Sequence, residues 1–104
     1  MAPLITENID QIIAACEKHH VKNLYIFGSA VRENDFNEES DVDFLYNIKK
    51  EEIPLNDYAD NYFDLLFALE NMLYRKIDLV PEEKIRNPFF LKQVNAEKIK
   101  IYGN

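Results

Sequence analysis

The sequence predicts an α/β (α+β) fold, a small mixed β-sheet with helices packed on one side and the other side open. Three observations predict it. Residues 41–48 alternate, with Val42, Phe44, Tyr46 and Ile48 on one face and Asp41, Asp43, Leu45 and Asn47 on the other. Two further short apolar runs, 23–27 and 76–80, are stopped by Gly28 and Pro81. Between the strands, apolar residues recur at helical spacing, most clearly over 54–74. Strand runs interleaved with helical ones read as a sheet with helices laid on it, and 104 residues suit a single domain over 1–104.

Taken in order, Thr6 is placed to cap a first helix running to about His20, with Ile9, Ile12, Ile13 and Cys16 on one face. Asn23 to Phe27 forms the first strand, and Ser29 to Arg32 fits one helical turn. Residues 33–40 are polar and read as a solvated loop before the strand 41–48. In the long helix, Tyr58, Tyr62, Leu65, Leu69, Met72 and Leu73 make a core stripe. Phe63, Phe67 and Tyr74 lie beside it and widen the apolar arc to roughly 220°, more than a helix on a sheet needs. That second stripe is either covered by the C-terminal helix or is a contact surface for another copy or a different protein. Asn87-Pro88 starts the last helix, and 98–102 is the final strand.

Composition narrows the functional classes. Twelve Lys and Arg against nineteen Asp and Glu give a net charge of −7, with no basic block. A direct nucleic-acid partner is therefore not expected, because such binding rests on neutralising phosphates. A bound nucleotide stays open, since a cation can invert the local field. The single Cys16 excludes an internal disulfide and a cysteine-built zinc site, and its helical company marks it as a core thiol. No apolar run approaches membrane-spanning length and nothing at the start resembles a signal peptide, so a cytoplasmic location is expected. His19-His20 ends a helix, where imidazolium suits the dipole.

The chemistry is carried by three aspartates. Asp41 and Asp43 stand in Ser-Asp-Val-Asp-Phe-Leu-Tyr, and Asp78 in Lys-Ile-Asp-Leu-Val. An apolar strand is a costly place for a carboxylate, so a charge there usually has a partner. Asp41 and Asp43 are two apart and share a strand face. A third carboxylate from a neighbouring strand completes an oxygen cluster suited to hard divalent cations, two of which can clamp a phosphoryl-type displacement. Upstream, Gly28 lets backbone approach a phosphate closely, Ser29 adds a hydroxyl donor, and Arg32 can reach the same phosphates. Plainer readings stand beside this one: unrelated surface acids, a structural calcium site, and an ion pair of Arg32 with Glu33 or Asp35.

In their joint order, these parts resemble the nucleotidyltransferase superfamily related to DNA polymerase β. The short length points to its minimal nucleotidyltransferase (MNT) branch, the antitoxin half of HEPN/MNT toxin–antitoxin pairs. The resemblance implies Mg²⁺-dependent transfer of an adenylyl group from ATP, with two ions, onto a tyrosine hydroxyl of a cognate HEPN ribonuclease toxin. It assigns Asp41, Asp43 and Asp78 as catalytic metal ligands, and Gly28, Ser29 and Arg32 as nucleotide-binding residues. The chain departs from the family pattern in one loop. Eleven residues separate Ser29 from Asp41, one more than is usual, and Glu33 replaces a frequent glycine. The competing class is a binding module, an antitoxin that occludes its partner while the site only senses nucleotide.

Overall fold

In a computed structural model that describes residues 1–103, strands Val21–Phe27 (β1), Val42–Ile48 (β2), Ile77–Pro81 (β3) and Ile99–Gly103 (β4) form one sheet. Its order is β3-β2-β1-β4. β1 runs antiparallel to both β2 and β4, whereas β2 and β3 are parallel, so the sheet is mixed as expected. The parallel pair needs a long crossover. The helix Tyr58–Leu73 supplies it.

The first helix departs from expectation. It is broken into Pro3–Thr6 (α1) and Ile9–Lys18 (α2), and the Thr6 hydroxyl donates to the Pro3 carbonyl instead of capping. Pro3 at the first helical position starts α1 early. The Ala2 N–H donates to the Ala30 carbonyl, and Ile5 is fully buried, so this short piece is anchored to the turn after β1. The long helix (α3, Tyr58–Leu73) is preceded by a 3₁₀ turn, and Tyr74 ends it in the left-handed region at φ 53°. Helix Pro88–Glu97 (α4) begins as expected, with the Asn87 side chain accepting from the N–H groups of Phe89 and Phe90.

The main core lies on one sheet face. Leu24 and Ile26 of β1 and Val42, Phe44 and Tyr46 of β2 pack on Ile12 and Cys16 of α2 and Leu65, Leu69 and Leu73 of α3. The Tyr62 hydroxyl donates to the Leu79 carbonyl and ties α3 to β3. A smaller core on the other face joins Phe27, Leu45 and Val94. So α2 and α3 share one side, while α4 covers part of the face expected to be open. Leu45 explains why: a strand face carrying a leucine among polar residues gains from cover.

The second aromatic stripe of α3 is left in water. Phe63, Phe67 and Tyr74 are 49%, 55% and 90% exposed, and α4, the candidate cover, lies across the sheet. Cys16 is buried, as expected of a core thiol, and burial first, then Glu17, pushes it up to about 12. His19 is buried with Nδ1 donating to the Ala15 carbonyl, and His20 contacts Glu52. Among the described residues, no helix is long and apolar enough to cross a membrane.

Candidate active site

Strand register sets Asp43 and Asp78 side by side. Asp43 on β2 stands opposite Phe27 of β1 on one side and opposite Asp78 of β3 on the other. Residues in register on neighbouring strands point to one face, so Asp43 and Asp78 are neighbours, and Asp41, two residues back, projects the same way. One residue after Phe27, the chain turns at Gly28 into a 3₁₀ turn over Gly28–Ala30. Gly28 has φ +75°, and a Cβ built on it would lie 2.2 Å from Asp43 Oδ2. The Asp43 carboxylate thus rests against the glycine backbone, an approach that any side chain at position 28 would close.

The electrostatics centre on Asp43. Its carboxyl is pushed up to about 6, first by burial, then by the negative charges of Asp78, Asp41 and Glu97, with Arg32 pulling the other way. Asp41 and Asp78 themselves are exposed. Among the described residues, no three histidine, cysteine or acidic side chains form a ready metal cage, so the expected three-aspartate cluster is not closed in the structure. The donor set still fits a hard divalent cation in its chemistry, because it consists of carboxylate oxygens from one sheet face, with Asp43 held up first by burial and then by the neighbouring acids.

Glu97, the last residue of α4, is the site residue that sequence reasoning missed. Its Oε1 accepts from the Gly28 N–H at 2.9 Å, and its Oε2 pairs with Arg32 Nη1. Arg32 Nε also donates to Asp35 Oδ2 at 2.8 Å, so the expected ion pair of Arg32 with Asp35 is present. A contact with the Glu33 side chain lies outside the described residues. The residues before Asp41 are more than a solvated loop. Arg75 Nη1 donates to the carbonyls of Asn37 and Ser40, each at 2.8 Å, and its guanidinium stacks 4.7 Å from the centre of the Phe36 ring. Arg75, unmarked in the sequence reading, thereby fixes the entry to β2 and with it the aspartate pair.

A cavity of about 1290 Å³ lies elsewhere, at the far end of β2, lined among others by Tyr46, Lys49, Tyr58, Tyr62 and Phe63. It includes none of the six residues singled out from the sequence. The carboxylates of Asp43 and Asp78 and the glycine turn lie at the other end of the sheet, outside this cavity.

The polymerase beta nucleotidyltransferase family model matches residues 10–104. A candidate protein adenylyltransferase of Methanocaldococcus jannaschii is 38% identical over 85 residues, 82% of this chain and 81% of the relative. A solved structure of a candidate minimal nucleotidyltransferase superposes with a TM-score of 0.72 at 27% identity, covering 95% of each chain. A structure of a tri-AMPylated Shewanella oneidensis HEPN toxin in complex with MNT antitoxin gives a TM-score of 0.65 at 19% identity, over 95% of this chain and 72% of that one.

Proposed function

The chain belongs to the polymerase beta nucleotidyltransferase family, and on that premise we propose that it transfers an adenylyl group from ATP to a hydroxyl of a HEPN-type toxin and so acts as its antitoxin. The observation that carries this reading is the contact of Gly28 with Asp43, with Asp78 in register beside it. Together they support a site in which the Gly28 turn lies next to the carboxylates of neighbouring strands. The acceptor is taken from the toxin complex similar in fold, and the adenylyl group from that complex and the M. jannaschii relative.

Asp41, Asp43 and Asp78 would hold divalent Mg²⁺, and the chemistry such an ion supplies is neutralisation of charge on the phosphate oxygens. The Gly28 N–H and Ser29 hydroxyl donate to the phosphates, and Arg32 adds a fixed positive charge beside them. Asp78, exposed at the start of β3, would accept the proton of the acceptor hydroxyl, a role its exposure and its register with Asp43 support. The acceptor oxygen then bonds the α-phosphorus while the bond to the β-phosphate oxygen breaks, and pyrophosphate leaves.

The exposed pair Phe63 and Phe67, stacked with ring centres 6.1 Å apart, supports a protein partner, because folded chains seldom leave contiguous aromatics in water. The same stripe favours a second reading, neutralisation by occlusion without transfer. Co-expression with a small all-helical HEPN-type protein tests both. Mass spectrometry of that protein should show added adenylyl groups with the wild type and none with Asp43→Asn. An unmodified partner that is nonetheless silenced by both forms would favour occlusion.

A further inference from the structure

We infer that Glu97 is an internal competitor for the phosphate site: its carboxylate holds the Gly28 N–H and the Arg32 guanidinium, and must release both for a nucleoside triphosphate to bind. This deepens the nucleotide reading of the Gly28-Ser29 turn and rests on it. One carboxylate oxygen accepts from the Gly28 amide and the other from Arg32, 69 and 65 residues away in the chain. Two anionic oxygens bridging a backbone N–H and a guanidinium reproduce how such donors grip a phosphate.

The surroundings argue against an incidental surface pair. The Glu97 side chain is only 20% exposed. It closes α4, where the carbonyl end of the helix disfavours a carboxylate. Its charge also adds to those of Asp78 and Asp41 acting on Asp43. The helix end and the neighbouring carboxylates are both unfavourable fields for an anion, and the Gly28 and Arg32 contacts hold Glu97 there. An incoming phosphate meets the same fields plus the charge of Glu97 itself. Once Glu97 withdraws, Arg32 stays in place through Asp35, so the donor is kept ready for the phosphate.

The test is calorimetric titration of AMP-PNP with Mg²⁺ into the full chain and its Glu97→Gln and Glu97→Ala variants, with adenosine as the phosphate-free control. Removing a competing charge-assisted contact should tighten AMP-PNP binding about tenfold in both variants. Adenosine affinity should not change. Unchanged or weaker AMP-PNP binding in both variants overturns the inference and makes Glu97 a support for the turn. No AMP-PNP binding by any of the three proteins overturns the nucleotide reading together with this one. Should Glu97→Ala fail to fold, the wild-type Gly28 amide resonance serves instead. It should move on saturation with AMP-PNP in the direction that Glu97→Gln moves it, and an unmoved resonance overturns the inference.

Discussion

Replacing Asp43 by Asn should stabilise the protein in the absence of divalent cations while abolishing transfer. The native state raises this carboxyl from 3.8 to about 6, so ionising Asp43 in the folded chain works against burial and three neighbouring negative charges. A rise of that size corresponds at most to about 3 kcal/mol. Asp43 is only half-buried and Asp41 and Asp78 are wet, so screening reduces this to about 1–2 kcal/mol. The sign follows from linkage. With the folded value above the unfolded one, the penalty is absent below about pH 4, grows between 4 and 6, and is complete above 6. The Asn variant has no such penalty. For a chain of this size it should melt roughly 4–15 °C higher than wild type at pH 7.5, and the gap should close by pH 3.5. Differential scanning fluorimetry in EDTA across that range measures it, and added Mg²⁺ should raise the wild type alone. A variant that melts at or below wild type at pH 7.5, or a gap that persists at pH 3.5, would refute the charge-repulsion account.

Gly28→Ala should lose AMP-PNP binding in calorimetry. The new methyl would sit 2.2 Å from Asp43 Oδ2, at a backbone angle that costs a side chain about 1–2 kcal/mol. Retained affinity would make the turn merely structural. Phe63→Ser with Phe67→Ser should give a folded protein whose association with its partner is weakened on light scattering, because both rings are exposed. Loss of folding would return them to the core. Cys16, pushed up to about 12, should not react with a thiol reagent at pH 8 until the protein unfolds. Rapid labelling of the native chain would contradict its burial.

The parts of the fold legible in the sequence are those governed by local pattern. Alternation over 42–48, the stop at Gly28 and the Asn87-Pro88 helix start each depend on neighbouring residues, and each appears where expected. The shared face of Asp41 and Asp43 follows from strand period. The pairing of Asp43 with Asp78 depends on register, which two short apolar runs do not specify by themselves. Glu97 was out of reach because its contacts span 65 residues and more. One signal did point to it, an acid at the C-terminal end of a predicted helix, where the dipole disfavours negative charge. The cover of α4 over the second face had a signal too, in the leucine at position 45 between Asp43 and Asn47. The break between α1 and α2 did not follow from apolar spacing, which runs through both pieces; it follows from Pro3 and from the anchoring of Ile5 in the core.

The most direct test of the central claim is transfer of label from ATP to a purified HEPN-type toxin, the proposed acceptor, in Mg²⁺, with ATP labelled at either the α- or the γ-phosphate. The account predicts that wild-type protein moves the α-label and not the γ-label, and that Asp43→Asn and Asp78→Asn, both folded, move neither. Wild-type transfer of the γ-label, or α-label transfer undiminished in Asp43→Asn, would contradict it.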